Sequence, residues 1–60
     1  MEIKDRILEY RIKHRISQRQ FAERAGIALQ TVSSIERGEQ KPQAVTRGKI
    51  ETVLREREEE

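Results

Sequence analysis

The sequence predicts an all-α chain, a compact domain of four helices, on three observations. Apolar residues recur at helical spacing, with Phe21, Ala22 and Ala25 on one stripe and Val32 and Ile35 on another. Ser17 stands three residues before Gln20, and Gly26 and Gly38 follow the two stripes, so two short helices carry their own start and stop signals. The chain has 60 residues, 33% of them hydrophobic, with Tyr10 and Phe21 its only aromatics, which allows one small and mostly aliphatic core.

Residues 2 to 14 form the first helix, with Ile3, Ile7, Tyr10 and Arg11 on its inner side and Leu8 and Ile12 as a partly covered i, i+4 pair. In the second helix Ser17 and Gln20 make a capping box, and Ile16 and Phe21 flank it as a hydrophobic staple. It runs from about Gln18 to Ala25 and turns Arg19, Glu23 and Arg24 outward. Gly26 then takes the positive φ that a sharp reversal needs.

The third helix buries Val32 and Ile35, with Ile27 plugging the turn and Gly38 ending it in a left-handed conformation. Ala28, Leu29, Gln30, Ser33, Ser34 and Arg37 are left on its outward face, where a leucine and a glutamine beside two serines suit a reading surface. A fourth helix starts near Gln43, and Ala44, Ile50, Val53 and Leu54 close the core from that side. Gly48 interrupts it at about 1 kcal/mol relative to Ala, explained either by close packing of another backbone or by a weak spot. The domain is expected to occupy residues 1–54, with 55–60 a charged tail that continues the fourth helix and frays.

Charged residues make up 40% of the chain, yet the apolar positions are periodic, which favours a folded domain over a disordered one. The net charge of +2 hides an asymmetry. Residues 1–50 hold 11 Lys and Arg against 6 Asp and Glu, a balance of +5, whereas residues 51–60 hold 2 against 5, a balance of −3. A basic body suits a polyanionic partner. Without cysteine there is neither a disulfide nor a thiolate metal site, and the single histidine, His14, has no companions for metal binding or catalysis. No catalytic constellation is visible, so the chain reads as no enzyme, with no cofactor and no metal. The first fifteen residues lack an apolar signal core and no apolar run approaches membrane-spanning length, so the expectation is a cytoplasmic protein away from membranes.

Two short helices meeting steeply across a glycine turn form the arrangement that lays a helix in the DNA major groove. The whole stretch fits the pattern R-x-x-x-x-[IL]-S-Q-x-x-[FL]-A-x-x-A-G-[IV]-x-x-x-T-[VI]-S-x-[IL]-E-x-G-x-x-x-P. Arg11, Ile16, Ser17, Gln18, Phe21, Ala22, Ala25, Gly26, Ile27, Thr31, Val32, Ser33, Ile35, Glu36, Gly38 and Pro42 carry it, and Thr46, Lys49, Ile50 and Leu54 continue it. On these residues the chain resembles the lambda-repressor-like helix-turn-helix family, which includes phage repressors, Cro proteins and xenobiotic-response-element regulators.

The resemblance implies a sequence-specific transcriptional regulator, Cro-like or repressor-like, of a phage, plasmid or bacterial operon, whose partner is a double-stranded operator. It places base readers at Ala28, Leu29, Gln30 and Ser34, with Ser33 reaching phosphate or base. Gln30 can pair with adenine N6 and N7, Leu29 offers only apolar contact to a thymine methyl, and the lack of arginine at the helix tip leans the contact toward A·T pairs. Gln18, at a helix N-terminus, is suited to phosphate, and Ser17 is grouped with it. Arg37 and Lys41 flank the following turn as a second phosphate clamp, with Arg15 and Arg19 at the rim. The resemblance further implies that Gln18 braces a recognition-helix residue and that Arg11 and Glu36 form a structural salt bridge.

Two departures stand out. The family favours Ser or Thr at Ala28, where alanine forgoes a helix cap. The family's fifth helix, often part of its dimer, has no counterpart here, so a homodimer on DNA would need another contact, for which Leu8 with Ile12, or Val45, are candidates; a monomer is the alternative. The competing functional class is a protein-interaction module, an antitoxin or adaptor, on the same fold.

Overall fold

The segments between the helices are built around left-handed residues. A computed structural model describes residues 1–58, with side chains through Arg55, and orders the chain as α1 (Ile3–His14), α2 (Gln18–Ala25), α3 (Leu29–Glu36) and α4 (Ala44–Glu58). The tail expected at 55–60 continues α4 as far as Glu58, and residues 59–60 lie outside the described residues.

Each of the first three helices ends in a Schellman motif, in which a left-handed residue lets two amides return to the last carbonyls. Gly26 at φ 70° and Gly38 at φ 78° supply two of them. Arg15 supplies the third at φ 55°, with its own amide on Ile12 O and that of Ile16 on Arg11 O at 3.0 Å. A non-glycine residue there is uncommon because its Cβ crowds the neighbouring carbonyl, and no sequence signal marks Arg15 for it. At Gly26 the amide of Ile27 reaches Ala22 O at 3.0 Å, and α3 follows within three residues.

α1 and α2 each pack on both α3 and α4. The core they enclose contains Ile7, Tyr10, Phe21, Ala22, Ala25, Val32, Ile35, Ile50, Val53 and Leu54, with Ile3, Ile16 and Ile27 packed at its margin. Tyr10 meets the Phe21 ring edge-on, with centroids 5.5 Å apart, and its hydroxyl accepts from Arg24 Nη1 at 2.9 Å. The Cα radius of gyration is 10.3 Å, close to the ~10.4 Å of a compact chain of this length. Among the described residues no helix is long and apolar enough to cross a membrane.

Two expectations for the fourth helix are corrected. Ala44 is exposed rather than buried, because it lies six residues, about 240° of helix, before Ile50. Half-buried Thr46, four residues before Ile50, takes that place on the inner stripe. Gly48 is no site of backbone approach, because a Cβ built there meets nothing within 4 Å. Two residues from buried Ile50, it lies on the solvent side of α4, which leaves the weak-spot explanation.

Candidate nucleic-acid interface

The N-termini of α2 and α3 set up the surface. Ser17 Oγ accepts from the Gln20 amide at 3.1 Å while the Ser17 amide donates to Gln20 Oε1 at 2.8 Å. This reciprocal cap fixes the first turn of α2, and the next residue, Gln18, is half-buried. Gln18 Oε1 accepts from the Ser33 hydroxyl at 2.8 Å, and its Nε2 donates to Glu36 Oε1 at 3.1 Å. The amide therefore ties the C-terminal half of α3, at Ser33 and Glu36, to the start of α2.

Glu36 is also where α1 joins. Arg11 Nη1 lies 2.7 Å from Glu36 Oε1 and 2.9 Å from Oε2, and Arg11 Nε donates to Ile16 O at 3.3 Å. The side chains of Arg11 and Glu36 are only 20% and 12% exposed, so water screens this pair poorly and each charge depends on the other. One carboxylate thus locks α1, α2 and α3 together, which gives α3 a fixed tilt.

The outer side of α3 carries a shallow depression of about 420 Å³ lined by Leu29, Gln30, Ser33, Ser34 and Arg37. Leu29 and Gln30 are exposed, while Ser33 and Ser34 are half-buried, more covered than an outward face implies. Ser33 spends its proton on Gln18 and keeps only its lone pairs for another partner. Ala28, exposed and extended at φ −73° and ψ 145°, stands at the N-cap with no side-chain cap.

The cations expected around this surface are distributed unevenly. Arg15 and Arg19 are exposed near the start of α2, and Lys41 is exposed in a separate groove of about 320 Å³ with Met1, Lys4, Gly38 and Pro42. Arg37, at the rim of the α3 depression, is engaged: its Nε and Nη2 donate to Glu39 Oε2 and Oε1, both at 3.0 Å. Hydrogen bonding and charge attraction raise the Arg37 pKa and hold that of Glu39 below the usual carboxylate range. Sequence reasoning passed over Glu39. The available signal was a pair of opposite charges flanking a glycine expected to turn the chain.

The His14 ring packs against that of Tyr10 at a tilt of 49°, with centroids 4.3 Å apart, a packing role not read from the sequence. Among the described residues, no group of three His, Cys, Asp or Glu could hold a metal ion. The Glu51 carboxyl ties α4 to α1 through Arg6 at 3.4 Å and pairs within α4 with Arg47 at 3.0 Å.

Compared with known families, residues 7–60 match the model described as Helix-turn-helix. Neither the curated proteins nor the solved structures gave a match.

Proposed function

Because the chain belongs to the lambda-repressor-like helix-turn-helix family of DNA-binding regulatory domains, we propose that it is a Cro-like or repressor-like regulator that occupies an operator and hinders transcription. The observation that supports this best is the depression on α3, where Leu29, Gln30, Ser33 and Ser34 line one surface between the N-cap Ala28 and Arg37. An α-helix presenting short polar groups and one amide along such a surface fits the major groove, where each base pair shows its own donor and acceptor pattern.

In this reading Gln30 reads adenine, Leu29 meets a thymine methyl, and Ala28, Ser33 and Ser34 sit against base edges or phosphate. Ser17, Gln18, Arg15 and Arg19 on one side, and Arg37 and Lys41 on the other, hold phosphates and fix the register. The Arg11–Glu36 pair acts through the tilt of α3 and touches no DNA. A second copy would place another recognition helix about 34 Å away on a near-palindrome. Leu8 and Ile12, 45% and 68% exposed, are the α1 surface available to that copy.

Selection of binding sites from a pool of randomised duplexes tests the reading. It predicts recovery of a short site with a fixed A·T pair whose preference is lost in Gln30→Ala. Recovery of unselected sequence, with the protein instead binding tightly to a neighbouring gene product, would move the function to the antitoxin or adaptor class.

A further inference from the structure

Resting on that reading, we infer that Glu39 is a specificity-determining residue, an internal phosphate mimic that occupies Arg37 until a phosphate is seated against α3. The carboxylate takes Nε and Nη2 of the guanidinium in a fork, both bonds 3.0 Å, which is the geometry Arg uses for a phosphate. The two side chains are similarly exposed, at 56% and 59%, so the surface that offers Arg37 to a DNA backbone offers the Glu39 charge beside it.

Two consequences follow from charge alone. A backbone drifting past in a non-specific encounter meets an arginine already neutralised, so Arg37 adds nothing to counterion release and Glu39 repels the strand. When α3 is seated in its own site, a phosphate is held in register at the rim of the depression. Exposed ion pairs are weak, and a fixed phosphate displaces the carboxylate. Glu39 therefore suppresses loose binding more than specific binding, which widens the ratio between them.

The local chain supports this role. Gly38 at φ 78° turns the backbone between the two residues, and the amide of Glu39 is held on Ser34 O at 3.0 Å. The carboxylate is thus anchored to the end of α3 through its own main chain.

Glu39→Gln keeps the shape and removes the charge. At low salt its affinity for a random duplex should rise about threefold to tenfold and its salt slope should steepen by up to about one phosphate, while affinity for the selected site rises less. In an Arg37→Ala background the gain should shrink to what loss of the Glu39 repulsion alone gives, because there is no guanidinium left to release. Unchanged or weaker binding by Glu39→Gln would overturn the inference, as would a gain that persists in full without Arg37, since that would be a general charge effect. If the wild-type chain binds no duplex, the proposed function fails and this inference with it; if it binds and only the variants misbehave, the inference alone fails.

Discussion

The Ser33 hydroxyl donates to the Gln18 amide oxygen at 2.8 Å, a bond that joins the two helices on which the proposed interface is built. The other end of the same amide rests on Glu36, which also accepts from Arg11. α3 is therefore held by a polar network that reaches α1, beside the apolar contacts of Val32 and Ile35.

Removing the shared carboxylate tests that network. Glu36→Ala leaves the poorly exposed Arg11 guanidinium without its partner and should cost about 1.5–3 kcal/mol. For a domain of this size the melting temperature falls by on the order of 10 °C. Glu36→Gln, which retains an acceptor, should fall between the two. A melting temperature within a degree of wild type for Glu36→Ala would show that the pair does not bear on stability.

Gly48→Ala should stabilise the protein. The new Cβ meets open space on the solvent side of α4, and the bond from Thr52 Oγ1 to Gly48 O at 2.9 Å is untouched. The gain expected from helix propensity is about 1 kcal/mol, read as a higher urea midpoint with an unchanged slope. A loss would mean that α4 meets something on this face.

Ala28→Ser adds the missing cap. The backbone is already extended there, as an N-cap requires, so the hydroxyl can accept from a free amide of the first turn of α3 at a gain of about 0.5–2 kcal/mol. Chemical denaturation reads the change directly.

On DNA, the two ends of the α3 depression should behave differently. Gln30→Ala should relax the preference at one base pair, by about 1–3 kcal/mol of discrimination, whereas Arg37→Ala should weaken the selected site and its single-base variants alike and flatten the salt dependence of binding to them. Competition between single-base variants of the selected site separates the two. A uniform loss from Gln30→Ala would remove its reading role.

The acid side of the stability profile follows from Glu51. The hydrogen bond from Arg47, aided by Arg6, holds this carboxyl below the usual carboxylate range. Because the folded value is the lower one, the stabilisation is complete above the unfolded value and is lost as pH falls through the folded one. The difference in denaturation midpoint between wild type and Glu51→Gln should be largest near neutrality and vanish at strongly acid pH. A difference that grew on acidification would have the wrong sign.

Local signals made α2 legible from sequence alone. Ser17, Gln20 and Gly26 fix its ends within a few bonds, and its bounds are those the spacing predicts. The α3 stripe and the left-handed Gly38 were equally readable. Rotation of α4 was less so, because the loop after Gly38 sets its phase, and Ala44 turned out to face solvent. Nothing local announced the left-handed Arg15, which closes the end of α1 through its own amide and that of Ile16 where no glycine stands. At the candidate interface the outward residues of α3 could be named from periodicity. Their engagements, Ser33 on Gln18 and Arg37 on Glu39, depend on side chains meeting across a turn or between helices, which periodicity does not encode.

Titration of the purified protein into its selected duplex at two salt concentrations, with a shuffled duplex as competitor, bears most directly on the claim that α3 reads sequence. The account predicts binding that survives the competitor and falls steeply with salt, with a stoichiometry that counts the copies on the site. Binding to the selected duplex no tighter than to the shuffled one would contradict it.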